Sequence, residues 1–116
     1  LERLPAKPLT PRWLKEGRDY RVRSFPWGRL TSAKNPMNDL FELAFHFDRG
    51  RRHERRLCAA FDLWELAGAG ELPPEAFKRR LYSLGTSLSA SCDEDESSVS
   101  LGGLDSRLEV SLKLVL

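Results

Sequence analysis

Between residues 41 and 48 the chain alternates with a strict two-residue period. Phe41, Leu43, Phe45 and Phe47 fall on one side, and Glu42, Ala44, His46 and Asp48 on the other. Only an extended strand with one dry and one wet face satisfies that spacing, so a sheet with a single buried side is required. Gly50 ends the run. The period then changes: Leu57, Ala60, Phe61 and Trp64 stand at i, i+3, i+4 and i+7, which predicts a helix between residues 54 and 67. Gly68, Ala69 and Gly70 stop it. A second helix opens at Pro73 and Pro74, where proline is tolerated in the first turn and Glu75 suits the positive helix end. Phe77, Leu81 and Leu84 would face inward from it, with Gly85 as a left-handed cap.

The flanks fit the same pattern. Residues 1–16 carry Pro5, Pro8 and Pro11 among charged and small residues and read as an extended lead-in or linker, leaving residues 17–116 as the domain. Residues 21–27 form a short candidate strand ended at Trp27 and Gly28, and Asn35, Pro36, Met37 and Asn38 a turn. Leu88, Ala90 and Cys92 alternate with serines as a further strand. After an acidic turn at residues 93–96, residues 98–101 return antiparallel, and Gly102 and Gly103 are expected to break the strand. Asp105 reads as the N-cap of a last helix carrying Leu108, Leu112 and Val115. That helix has no stop signal before Leu116, so the element is expected to continue beyond it. Hairpins with grouped helices imply an α+β architecture, one antiparallel sheet with helices packed on a single face.

No apolar run approaches the length that spans a bilayer, so membrane insertion is not expected. The first residues contain neither a hydrophobic signal-peptide core nor an initiator Met, and the chain reads as an excised or processed segment. Cys58 and Cys92 are the only cysteines. Without a dense cysteine framework two buried thiols are the expectation, ahead of a disulfide, and a structural zinc site would need two more ligands. The net charge of +2 conceals an asymmetry. Residues 1–56 hold fourteen Lys and Arg against seven Asp and Glu, whereas residues 57–116 hold five against ten. Such a layout suits docking to a complementary partner or to another copy of the chain.

The sequence of residues 39–84 has a more specific quality. A strand ending in Gly50, a helix ending at Gly68 and Ala69, and a second helix closed by Leu84 and Gly85 resemble the opening of a domain of the M16 metallopeptidases, the insulinase, pitrilysin and mitochondrial-processing-peptidase family. Active members carry H-x-x-E-H on the first of those helices. Aligned on Gly68 and Ala69, the five positions here are Ala59, Ala60, Phe61, Asp62 and Leu63. Ala59 and Leu63 replace the two histidines, and neither has a lone pair to offer a metal. Asp62 stands where the family places the glutamate that activates the metal-bound water. The family's third ligand would lie beyond Leu116. The resemblance, which runs from about Arg21 to the last residue, covers the front half of one repeat. It implies a non-catalytic repeat that closes a chamber against an active one, in the same or a neighbouring chain, and helps to hold peptide substrate through sheet edges and apolar surface. Zinc is expected only in that active partner and no cofactor in this chain; a bacterial periplasm or cytoplasm is the implied location. Half a repeat would leave a sheet edge and an apolar face uncovered, so self-association is expected as well.

Outside that motif the chemistry is sparse. His46, on the polar side of its strand, and His53, in an arginine-rich loop, lack a converging carboxylate or thiol to complete a metal site. Arg49, Arg51, Arg52, Arg55 and Arg56 form a basic cluster, a possible anion or partner patch. Used that way, they would make the chain a free-standing module for protein or nucleic acid, the alternative reading. The absence of interleaved aromatics argues against nucleic acid. Asp93, Glu94, Asp95 and Glu96 lack the glycine and distal glutamate of a calcium loop and read as a charged hairpin tip. No serine sits in a G-x-S-x-G elbow, and no serine triad can be assembled.

Overall fold

The computed structural model describes residues 10–64 and 66–116; most of the proline-rich lead-in, residues 1–9, lies outside the described residues. The chain divides into two compact units, one ending at Pro36 and the other spanning Met37–Leu116.

The first unit is built on a hairpin. Strand β1 (Arg21–Phe25) pairs antiparallel with β2 (Gly28–Ser32), Phe25 opposite Gly28, so Pro26 and Trp27 form a two-residue turn. The expected strand ends near where it should, but the chain then reverses into a second strand that the sequence does not announce. Residues 28–32 have no apolar alternation, and every one of them is exposed. Upstream, Gly17 adopts a left-handed φ of 83°, and its N–H bonds the carbonyl of Tyr20. Asp19 anchors this turn by accepting the Lys15 N–H at 2.8 Å and the Arg18 guanidinium at 2.6 Å. The Arg18 hydrogen bond, then that backbone N–H, hold the Asp19 carboxyl below its usual range.

The second unit contains β3 (Leu40–Phe47), α1 (Leu57–Trp64), α2 (Pro74–Leu84), β4 (Ser87–Cys92), β5 (Ser97–Leu104), a 3-10 turn (Asp105–Arg107) and α3 (Leu108–Val115). Its sheet is antiparallel throughout, in the order β3-β5-β4. The register places Leu43, Leu101 and Leu88 side by side, and likewise Phe45, Val99 and Ala90. These rows make the dry face, on which the helices pack. The opposite face carries Glu42, Ala44 and His46 beside Ser98, Ser100, Ser87, Ser89 and Ser91. The fold is therefore α+β with one-sided helical cover, as the periodicity requires. Its centre is Leu101, 1% exposed, with Phe77, Leu81 and Leu84 buried above it on α2. Gly85 caps α2 with a φ of 65°, in the expected left-handed conformation.

Four expectations need correction. First, the aromatic face of β3, expected to be dry, is only partly covered: β5 takes the central position and pushes β3 to an edge, and helix α1 lies against β4. Phe41 and Phe45 are only half-buried as a result, and Phe47 is 48% exposed. Partial burial lowers the expected cost of Phe45→Ala to about 1–2 kcal/mol, below the full-core range, as urea unfolding would measure. Second, Cys58 and Cys92 form a disulfide, with their Cα atoms 5.1 Å apart. Third, Gly102 and Gly103 do not break β5. They let backbone approach: a Cβ at Gly103 would stand 2.9 Å from the Gly85 carbonyl and 3.3 Å from the Phe41 ring. Fourth, Asp105 makes no side-chain cap; its N–H bonds the Asp39 carbonyl, and a 3-10 turn precedes α3.

Candidate functional site

The first turns of α1 decide what chemistry the helix can do. Its inward stripe is Leu57, Phe61 and Trp64, all half-buried, with Cys58 fully buried beside them. Phe61 and Trp64 meet edge to face at 6.3 Å. Ala59, Asp62 and Leu63 occupy the other side and are exposed, Leu63 to 65%, and Ala60, which the spacing puts on the stripe, lies at its margin and is exposed too. Ala59, Asp62 and Leu63, the positions singled out in the sequence, thus lie on the solvent side of the helix, and Asp62 is the one charged side chain among them. Among the described residues no group of three or more His, Cys, Asp or Glu is arranged to hold a metal ion. His46 is exposed on the serine face of the sheet. His53 is engaged locally, its Nδ1 accepting the Gly50 N–H at 3.2 Å.

The arginine-rich loop and the acidic hairpin tip, far apart in sequence, come together. Arg51 pairs with Glu94 at 3.3 Å and Arg52 with Asp95 at 3.1 Å. Backbone bonds fasten the same contact: the N–H groups of Arg51 and Arg52 donate to the carbonyls of Asp93 and Glu94, each at 2.9 Å. Gly50 is buried in this corner, and only glycine fits there, because a Cβ would collide with the carbonyls of Asp93 and Glu94. Both ion pairs are exposed, so the backbone bonds and the neighbouring Cys58–Cys92 disulfide hold the corner more firmly than the charges do. Arg49, Arg55 and Arg56 are exposed and make no ion pair among the described residues.

The other feature of this unit is a cavity of about 220 Å³ between α1, α2 and β4. Trp64, Phe77, Leu81, Leu88 and Ala90 make it apolar, and Lys78 and Ser89 add polar groups to its wall. It adjoins β4, an edge strand hydrogen-bonded to β5 alone among the described strands. Sequence periodicity identifies most of the apolar lining residues as inward-facing. It does not reveal that β4 is an edge, because edge or centre is settled by which strands pair. The sequence places Cys58 beside Leu57 at the start of the inward stripe and Cys92 in phase with Leu88 and Ala90, but it does not announce the bond between them.

No family model matches the sequence, and comparison with curated proteins finds no match. The structure is similar to part of the crystal structure of the periplasmic protease PqqL from Escherichia coli, with a TM-score of 0.73 and 15% identity. The match covers 85% of this chain but only 12% of that one, so the chain spans a small part of the protease's length. Identity that low speaks for the fold and not for the activity. The antiparallel sheet with helices on one face is the fold that this chain shares with that part of the protease.

Proposed function

We propose that this chain is a non-catalytic M16-type peptidase repeat that closes a proteolytic chamber and helps to hold peptide beside an active, zinc-bearing repeat. The observation that carries the reading is the conjunction on α1: an M16-like fold whose zinc-motif positions are Ala59, Asp62 and Leu63. Zinc does not fit there. Ala59 and Leu63 have no donor atoms, and a lone exposed Asp62 cannot hold the ion. What remains is peptide binding. An extended peptide would pair with the outer edge of β4 through backbone hydrogen bonds, placing an apolar side chain in the cavity beside Trp64 and Leu88. The Cys58–Cys92 disulfide favours the periplasm over the cytoplasm, since disulfides persist in oxidising compartments.

Calorimetric zinc titration tests the reading. The chain itself is expected to take up no tight stoichiometric zinc and to cleave no peptide. Ala59→His with Asp62→Glu and Leu63→His should create a weak two-histidine site. Stoichiometric tight zinc on the unmodified chain, with zinc-dependent peptide cleavage, would overturn the proposal.

A further inference from the structure

We infer that the tip of the first hairpin is a docking element for an anionic lipid surface, a contact made without spanning the bilayer. The tip is apolar: Phe25 and Trp27 stack at 4.9 Å and 9° around Pro26, with Trp27 78% exposed. Tryptophan at an exposed apolar tip favours the boundary between headgroups and acyl chains, where its ring is half dry and its N–H stays wet. Around the tip the charge is one-sided. Residues 10–36 hold seven Lys and Arg but only two acids, Glu16 and Asp19. Asp19 is already occupied by Arg18 and Arg12. Arg21, Arg23 and Arg29 are exposed and have no carboxylate partner among the described residues.

The register distinguishes a lipid surface from the other candidates. Arg23 stands opposite Leu30, and Ser24 opposite Arg29, so Arg23 and Arg29 project from opposite faces of the ribbon. A protein-docking face would gather its charge on one side. Arginines on both faces behind an apolar tip suit end-on entry, in which each guanidinium reaches a phosphate while its stem lies along apolar surface. Single-stranded nucleic acid is the weaker fit. Phe25 and Trp27 spend one ring face on each other, leaving fewer free platforms for bases. No helix among the described residues is long and apolar enough to cross a membrane, and this contact does not need one.

The test is co-sedimentation of the whole chain with vesicles of phosphatidylglycerol and phosphatidylcholine, against phosphatidylcholine alone, with tryptophan emission recorded. Binding and a blue shift are expected only with the anionic vesicles, and binding should fall steeply as salt rises. Each arginine near such a surface is worth roughly fivefold, so Arg23→Gln with Arg29→Gln should weaken binding by ~25-fold. Trp27→Ala should lower it by about tenfold and abolish the shift, while Trp27→Phe retains most of the binding. All three positions are exposed, so the variants spare the core. Salt titration of the unmodified chain gives an independent reading. Equal binding to neutral vesicles, no binding to either, or binding indifferent to salt and to both sets of variants would overturn the inference.

Discussion

Leu101→Ala is expected to destabilise the chain by about 3–4 kcal/mol, the largest effect of any single truncation here. Leu101 lies on the central strand β5, is 1% exposed, and is flanked in register by Leu43 on β3 and Leu88 on β4. Both lateral neighbours are held by the β-ladder, and the helices on the dry face are held by their own packing. The space left by three missing carbon atoms therefore cannot close, and the cavity cost adds to the lost transfer energy. Urea unfolding followed by circular dichroism would measure the change at constant slope. A loss under about 1 kcal/mol would show that the core is not centred on β5. The half-buried Phe45, although larger, should cost less because it has solvent on one side.

Reduction of Cys58–Cys92 is expected to remove about 2–4 kcal/mol. The two cysteines are 34 residues apart in sequence, and a loop of that length loses up to about 4 kcal/mol of chain entropy when closed. The bond ties the start of α1 to the end of β4, beside the corner where residues 50–52 meet the acidic tip. Denaturation midpoints with and without dithiothreitol, and for Cys58→Ser with Cys92→Ser, give the size. Both thiols reacting freely with a maleimide in the native, unreduced chain would show that the bond is not there. The double serine variant should also increase amide exchange at Arg51 and Arg52, whose N–H groups donate to the hairpin tip.

The dry face of the sheet and the inward faces of α1 and α2 could be read from single positions. Periods of 2 and 3.6 are local properties of the backbone, so Leu43, Leu88, Phe61 and Phe77 declare their direction wherever their elements lie. The Gly85 cap is local in the same sense, since it needs only a left-handed φ after the last helical turn. Strand β2 escaped because its residues bury nothing and so carry no periodic signal.

What the sequence by itself determined is which residues of its strands and helices face inward. Tertiary structure alone decided which elements are neighbours. It put β5 between β3 and β4, which left Phe47 partly in water and gave β4 an open edge beside the cavity. It joined Cys58 to Cys92, and set Arg51 and Arg52 against Glu94 and Asp95 across more than 40 residues of chain. The physical reason is that pairing between distant segments depends on the competition among all possible partners for each strand and side chain. That competition is resolved by the packing of the whole unit, and no local period records its outcome.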